Sequence, residues 1–125
     1  MKALVVDDSR ATRTILKRAL TAEGFEVIEA GDGQQAIEAL KTSGPVDLAL
    51  VDWNMPVMTG YEFLCDTRGK REFDRMSIMM VTTETEIAQV QRALDAGANE
   101  YVMKPFTPDV LREKLLLLGL GKEAA

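Results

Sequence analysis

The sequence contains no histidine and only one cysteine, Cys65, among its 125 residues. Without imidazole, the chain lacks the commonest general base and the commonest zinc ligand, and it cannot form a histidine-dependent triad. A single cysteine cannot form an internal disulfide, which is typical of a protein of the reducing cytoplasm. Any chemistry that the protein performs must therefore use carboxylates, lysine and hydroxyl groups.

Long apolar runs and excess positive charge are also absent. The longest apolar runs, such as residues 115–118, are far shorter than the ~20 residues that span a bilayer. No apolar leader follows Met1, so we expect a cytoplasmic protein without a membrane segment. The 20 acidic residues outnumber the 15 basic ones, which argues against binding to nucleic-acid phosphates. One local basic stretch is predicted to be a solvated loop; it comprises Arg68, Lys70, Arg71 and Arg75.

Short apolar runs alternate five times with longer stretches of helical period, and no linker interrupts them. With 46% hydrophobic residues, a chain of this length can bury the core of one domain. We assign residues 1–120 to that domain and 121–125 to a C-terminal tail. The predicted strands are 3–6, 25–30, 47–51, 77–81 and 100–103.

Five helices are expected to follow these strands. The first begins after Ser9, a favourable N-cap, and ends before Gly24. Its apolar stripe comprises Ala11, Ile15, Ala19 and Leu20. The second helix is expected to follow Asp32-Gly33, and the third to follow Thr59-Gly60. The fourth carries Ile87, Val90 and Leu94 before Gly97, and the fifth begins at Pro108 after Thr107.

The alternation of strands and helices predicts an α/β fold with a five-stranded parallel sheet and five helices on both of its faces. Strands 3–6, 47–51 and 77–81 are nearly all apolar, as strands buried on both faces must be. Strand 25–30 contains Glu26 and Glu29 and is therefore predicted at an edge. These properties fit the strand order 2-1-3-4-5, in which a crevice opens at the carboxyl ends of the first and third strands.

Polar side chains stand at the carboxyl ends of four strands: Asp7 and Asp8, then Asp52, Thr82 and Lys104. Two carboxylates ~4 Å apart repel each other by about 4 kcal/mol at an effective dielectric constant of 20. Three converging carboxylates therefore need a cation or a raised pKa. Oxygen ligands that leave room for water suit Mg²⁺.

The motifs at these strand ends resemble, in order and spacing, those of the receiver domain of response regulators, and the resemblance covers residues 2–120. They are Asp7-Asp8-Ser9, Asp52-Trp53-Asn54-Met55-Pro56 followed by Gly60, Val81-Thr82, and Lys104-Pro105-Phe106. The segment that begins at Asp52 is especially similar to CheY-like single-domain regulators. The resemblance implies a flavodoxin-like fold, a cis bond before Pro105 and a protein of two-component signalling rather than an ordinary enzyme.

The resemblance also implies the role of each site residue. Asp52 would accept a phosphoryl group from a phosphohistidine on a histidine kinase or phosphotransfer protein. Asp8 and Asp52 would bind Mg²⁺ directly, Asp7 through water, and Asn54 through its backbone carbonyl. Lys104 and Thr82 would contact the phosphoryl oxygens.

On phosphorylation, the resemblance implies that Thr82 moves toward the phosphoryl group and Tyr101 turns inward. These movements would reshape the face formed by helix 4, strand 5 and helix 5, which would bind a downstream protein. Leu115–Leu118 and Leu120 cannot all be buried by one helix, so this face either awaits a partner or ends in one or two exposed leucines. Since the domain uses the chain up to about Leu120, we expect the output to be a binding event.

Two residues at the mouth of the predicted site depart from the usual pattern or modify it. Thr83 stands where the family usually has Ala or Gly, and Glu84 follows it. The larger Thr83 side chain is expected to restrict access of water, and Glu84 to influence the attacking water. We therefore expect slower loss of phosphate than in a Thr83→Ala variant.

Other functions fit the sequence less well. Taken alone, Asp7-Asp8 is more typical of a helix cap, Asp52-Trp53-Asn54 of a turn, and Lys104 of a surface amine. A phosphatase of the haloacid dehalogenase type would need an Asp-x-Asp motif after the first strand and a cap domain. A flavodoxin-like electron carrier would not place acidic residues beside a flavin phosphate. A receiver fold that binds partners without phosphorylation is the remaining alternative.

Overall fold

The computed structural model describes residues 1–120, except for the side chains of residues 84 and 85, and the predicted tail 121–125 lies outside the described residues. The strands are β1 (Lys2–Val6), β2 (Glu26–Ala30), β3 (Leu48–Asp52), β4 (Ser77–Thr82) and β5 (Glu100–Met103). The α-helices are α1 (Arg10–Ala22), α2 (Gly33–Ser43), α3 (Gly60–Arg68), α4 (Val90–Asp95) and α5 (Pro108–Leu117). Short 3₁₀ helices cover Arg71–Phe73 and Glu84–Gln89. Within residues 1–120, no helix has both the length and the apolar character needed to cross a membrane.

All five strands pair in parallel in the order β2-β1-β3-β4-β5, which confirms the predicted topology. The charged strand β2 lies at one edge, and the apolar strands β1, β3 and β4 lie in the centre. The register pairs Val6 with Val51 and Asp52 with Val81. The carboxyl ends of β1, β3 and β4 therefore lie side by side.

The sheet separates two apolar clusters because successive side chains on each strand point to opposite faces. On one face, Leu4 and Val6 belong to a cluster with residues of α2, α3 and α4. On the other face, Ala3 and Val5 belong to a cluster with residues of α1 and α5. The core thus holds the central strands, and their ends, in a fixed position.

The predicted helix starts are confirmed by side chains that accept a hydrogen bond from a backbone N–H group in the first turn of the helix. These N-cap residues are Ser9, Asp32, Thr59 and Thr107, and Pro108 occupies the first turn of α5. The positive φ of Gly24, 93°, lets the chain leave α1 in the left-handed region that other residues avoid.

The predicted apolar stripe of α1 is partly wrong. Ile15 is 65% exposed and Ala11 is exposed, whereas Leu16 and Leu20 are buried. The buried stripe is centred on Leu16 and Leu20, and Ile15 lies about 100° away from Leu16 around the helix. Ile15 instead lines an apolar groove with Phe106.

The fourth helix also differs from the expectation. The segment Glu84–Gln89 is a 3₁₀ helix, and only Val90–Asp95 is α-helical. Within the 3₁₀ segment Glu86 is buried, whereas Ile87 is 39% exposed. Val90 is buried and Leu94 is partly buried, so the predicted apolar stripe holds only in the α-helical part.

The prediction that Arg68 belongs to a solvated loop is wrong. Arg68 lies in the last turn of α3, and its guanidinium joins two loops. It donates to the carbonyl oxygens of Phe73 (2.7 Å), Met76 (2.7 Å) and Gly97 (2.9 Å) and to Oδ1 of Asn99 (2.8 Å). Burial lowers the pKa of Arg68, and the Asp74 charge offsets part of this effect. The rest of the basic stretch is at least partly exposed.

The leucine-rich end of α5 is partly uncovered, as expected. Leu115 is fully buried, while Leu116 is 39% and Leu117 is 74% exposed. Leu118 and Leu120 are partly buried against the cluster that contains α1. One helix therefore cannot cover all of these side chains.

Candidate functional site

The aligned strand ends bring three carboxylates together. Asp7 follows β1, and Asp52 is the last residue of β3. Both are buried, with 1% and 8% exposure, while Asp8 is exposed. One carboxylate oxygen from each residue lies within 4.8 Å of the others. The predicted convergence of these residues is confirmed.

The turn between β1 and α1 fixes Asp7. Its Oδ1 accepts the N–H of Ser9 at 2.8 Å, and its own N–H donates to Ala30 at 3.1 Å. The Arg13 guanidinium donates to the Asp7 backbone carbonyl at 2.6 Å. Arg13 was not predicted from the sequence, because its partner is a backbone carbonyl that no residue pattern marks.

Lys104 connects the two buried carboxylates. Its Nζ lies 3.1 Å from Oδ1 of Asp52 and 3.2 Å from Oδ2 of Asp7. The Lys104 backbone N–H donates to the Thr82 carbonyl at 2.7 Å, which holds the end of β5 beside β4. The peptide bond between Lys104 and Pro105 is cis, as the resemblance implied. The ammonium group therefore lies between two carboxylates that come from distant parts of the chain.

The electrostatics of Asp52 reflect this crowding. Burial, with smaller contributions from the charges of Asp7 and Asp8, raises the pKa of Asp52 from 3.8 to about 6, although Lys104 acts in the opposite direction. Burial alone would lower the pKa of Lys104, but its contacts with Asp52 and Asp7 together outweigh that effect and raise it. The ion pair offsets only part of the cost of ionising Asp52.

The carboxylate cluster fits the ligand set of Mg²⁺. Two oxygens bound to one Mg²⁺ at 2.0–2.1 Å lie at most about 4.2 Å apart. Carboxylate oxygens within 4.8 Å therefore need small side-chain adjustments, or one bridging water, to share an ion. Asp7, Asp8 and Asp52 are the residues that could hold it. Asn54 is exposed in the loop after β3, and its carbonyl as a fourth ligand stays a prediction.

Thr82 and Tyr101, the two predicted switch residues, lie on neighbouring strands. Thr82 is fully buried, and its Oγ1 has no hydrogen-bond partner among the described residues. Tyr101 is partly buried, and Nζ of Lys114 lies 4.7 Å from the centre of its ring. Lys114 also pairs with Glu100 at 2.9 Å. The structure thus contains an unpaired hydroxyl at the end of β4 and a Tyr101 ring held from α5.

The loop after Asp52 passes very close to α3. A Cβ atom on Gly60 would lie 2.2 Å from the Asp52 carbonyl oxygen, so only glycine fits there. The Gly60 N–H donates to the Trp53 carbonyl at 2.9 Å. Within the same loop, Val57 has a positive φ of 69°, which is unfavourable for a β-branched residue. This close approach fixes the backbone on which Asp52 is carried.

Of the two residues expected to control access of water, Thr83 is described by the structure and the side chain of Glu84 is not. Thr83 is partly buried, and its N–H and Oγ1 both donate to Oε1 of Glu86 at 2.9 Å. The side chain of Glu84 lies outside the described residues. Glu86 was not predicted from the sequence, although Thr-x-x-Glu is a recognisable capping pattern.

Three comparisons with known proteins agree with this geometry. A family model described as the response regulator receiver domain matches residues 3–116. A chemotaxis protein CheY homolog from Campylobacter jejuni is 46% identical over 129 aligned positions, which cover 100% of this chain and 99% of the relative. The chemotaxis protein CheY of Pseudomonas aeruginosa is 43% identical, with 92% of this chain and 93% of that protein covered.

A solved structure shows the same architecture. Chemotaxis protein CheY4 of Vibrio cholerae matches with a TM-score of 0.86 and 36% sequence identity, and the match covers 94% of this chain and 97% of that chain. The likeness in fold therefore extends over nearly the whole chain.

Proposed function

This chain belongs to the response-regulator receiver family, as a homologue of CheY chemotaxis regulators, and from this membership we propose that Asp52 is its phosphoacceptor. The donor is a phosphohistidine on a partner histidine kinase or phosphotransfer protein in the cytoplasm. The observation that carries the proposal is the position of Lys104 between Asp52 and Asp7, at 3.1 and 3.2 Å. The chain itself contains no histidine, so the phosphohistidine must come from another molecule.

The transfer step uses the Asp52 carboxylate as the nucleophile. As the new P–O bond forms, the P–N bond of the donor breaks, and the imidazole keeps its electron pair and takes up a proton. Because the transition state is loose, catalysis depends mostly on position and on positive charge near the phosphoryl oxygens. Lys104 supplies one positive charge, and the Thr82 hydroxyl can donate to another oxygen.

Asp7, Asp8 and Asp52 would hold Mg²⁺, with Asn54 contributing its backbone carbonyl. When bound, the ion neutralises charge on the phosphoryl oxygens. The chain's own residues prepare the site, since Lys104 and the N–H of Ser9 already satisfy oxygens of Asp7. The raised pKa of Asp52, about 6, leaves the carboxylate mostly ionised at neutral pH.

Phosphorylation is proposed to act through Thr82 and Tyr101. The buried Thr82 hydroxyl has no partner within the described part of the chain, so a phosphoryl oxygen would satisfy it. Movement of Thr82 would make room for the Tyr101 ring, which lies on the adjacent strand under Lys114. The ring and the ammonium group would then separate, which changes the surface of β5 and α5.

A downstream protein is proposed to bind the face formed by α4, β5 and α5. Exposed apolar side chains on these elements include Met103 at 42%, Leu116 at 39% and Leu117 at 74%. Such side chains close to a residue that changes position can contribute to a binding surface that phosphorylation alters.

Titration with beryllofluoride, a phosphoryl mimic, tests the proposal. Trp53 is buried beside Asp52, so its fluorescence should respond first to Mg²⁺ and then to the mimic. An Asp52→Ala variant should lose the response to beryllofluoride, while a variant of exposed Asp95 should keep it. If Asp52→Ala still binds beryllofluoride, as judged by Trp53 fluorescence and by calorimetry, the proposal is contradicted. That result would favour a binding module that works without phosphorylation.

A further inference from the structure

Glu86 is a charged side chain in the interior that the proposed phosphoryl transfer does not use. It lies in the 3₁₀ helix Glu84–Gln89, and only 6% of its surface is exposed. Its Oε1 accepts two hydrogen bonds from Thr83, one from the backbone N–H and one from the hydroxyl, both at 2.9 Å. The Glu86 N–H in turn donates to the Thr83 carbonyl at 3.0 Å. We refer to these three hydrogen bonds as the Thr83–Glu86 pair.

The second oxygen of this carboxylate is in an unfavourable position. Oε2 of Glu86 is buried and has no hydrogen-bond partner among the described residues. A buried carboxylate oxygen without a partner loses its hydration without replacement. The Thr83–Glu86 pair therefore holds Glu86 in a place that its charge disfavours.

The pair is attached directly to a switch residue. Thr83 follows Thr82, the last residue of β4, whose hydroxyl is likewise buried and unpaired within the described residues. On the other side, the Thr82 carbonyl is held by the Lys104 N–H at 2.7 Å. The backbone at Thr82 is thus held by Lys104 on the neighbouring strand, and the Thr83–Glu86 pair restrains the chain directly after it.

A phosphoryl group on Asp52 changes the balance of these interactions. It adds negative charge and new hydrogen-bond acceptors at the end of β3, beside β4, where the Thr82 hydroxyl lacks a partner within the described residues. Movement of Thr82 toward such an acceptor displaces the adjoining Thr83, whose N–H and hydroxyl both donate to Glu86. This movement and the unpaired Oε2 of Glu86 therefore both favour opening the Thr83–Glu86 pair when Asp52 is modified.

We propose that Glu86 is a positioning residue that holds the Thr82–Thr83 segment in its unphosphorylated arrangement, and that the Thr83–Glu86 pair opens when Asp52 is phosphorylated. The inference rests on the proposed role of Asp52 and Thr82. Its consequence is that part of the free energy of phosphoryl binding is used to open this pair. Removing the Glu86 carboxylate should then make the switched arrangement easier to reach.

The test measures Mg²⁺ and beryllofluoride affinities of the intact protein by calorimetry and Trp53 fluorescence. Glu86→Ala removes both the hydrogen bonds and the charge, and we expect it to bind beryllofluoride about tenfold more tightly, as expected when one hydrogen bond to a charged group no longer opposes binding. Glu86→Gln keeps an acceptor for Thr83 but removes the charge, so its affinity should lie between those of Glu86→Ala and the original protein. Mg²⁺ affinity should stay unchanged in both variants.

A matched control is available in α3, where exposed Glu62 accepts the Thr59 N–H at 3.0 Å. Glu62→Ala should leave beryllofluoride affinity unchanged. If Glu86→Ala binds beryllofluoride no more tightly than the original protein, or if its Mg²⁺ and beryllofluoride affinities fall together, the inference is wrong. Failure of the original protein to bind the mimic would instead contradict the proposed role of Asp52.

Discussion

Replacing Asp52 by asparagine should stabilise the metal-free protein at neutral pH. Asp52 is 8% exposed, and burial is the main reason why its pKa rises from 3.8 to about 6. At about 1.36 kcal/mol per pKa unit, this rise corresponds to about 3 kcal/mol of folding stability. An asparagine has nearly the same shape but cannot ionise, so Asp52→Asn should recover most of that free energy.

The sign of the effect gives it a characteristic pH dependence. Below pH 3.8 the carboxyl group is protonated in both the folded and the unfolded state, so its ionisation costs no stability. Between pH 3.8 and about 6 the folded protein holds the proton more strongly, and its stability falls as the pH rises. Above about pH 6 the full cost is present, and the advantage of Asp52→Asn should reach its maximum.

Urea unfolding in the presence of a chelator measures this difference. We expect the free energies of unfolding of the two proteins to be close at about pH 4 and to differ by about 3 kcal/mol at about pH 7.5. Asp95→Asn, on the exposed surface of α4, serves as the control and should show no such pH dependence. Equal stability of Asp52→Asn and the original protein at about pH 7.5, or a less stable variant, would refute the interpretation that burial makes ionisation of Asp52 costly.

Three further substitutions test other parts of the molecule. Arg68→Ala should lower the free energy of unfolding by about 2–3 kcal/mol because four hydrogen-bond acceptors lose their donor. The control Arg18→Ala, on the exposed side of α1, should change it by less than about 0.5 kcal/mol. Equal effects of the two substitutions in urea unfolding would contradict this prediction. Val57→Gly should stabilise by about 1 kcal/mol because φ is 69° there, and a loss of stability in the same assay would show that the loop is not strained. Phosphorylated Thr83→Ala should lose its phosphate faster than the original protein, while Thr83→Val, which keeps the size of the side chain, should not. Equal rates of phosphate loss from Thr83→Ala and the original protein would contradict the idea that Thr83 limits access of water to the site.

The fold was predictable because hydrophobic pattern and strand polarity are strong in this chain. Glu26 and Glu29 mark β2 as an edge, and the apolar strands β1, β3 and β4 lie in the centre. The carboxyl ends of parallel strands meet at one edge of the sheet, so the sequence alone places Asp7, Asp52 and Lys104 together.

The errors have local physical causes. Periodicity cannot distinguish Ile15 from Leu16 at the border of an amphipathic stripe, since the position of α1 on β1 and β2 decides which one is covered. It also cannot reveal that Glu84–Gln89 is a 3₁₀ helix, because that depends on how the end of β4 joins α4. Arg68 belongs to a basic stretch, and its burial depends on carbonyl groups that only the tertiary structure brings near it.

The sequence predicted the residues at the strand ends that form the site, but not the residues that hold them in place. Arg13 holds the Asp7 backbone carbonyl, and no residue pattern marks a partner of that kind. Glu86 lies in a recognisable Thr-x-x-Glu capping pattern with Thr83, but that pattern does not show that its carboxylate is buried just beyond the end of β4.

Mass spectrometry after incubation with acetyl phosphate and Mg²⁺ tests the central claim most directly. The account predicts a single adduct of about 80 Da that peptide mapping places on Asp52, with none formed in Asp52→Asn or without Mg²⁺. An unmodified protein under these conditions, or an adduct located on another residue, would contradict it.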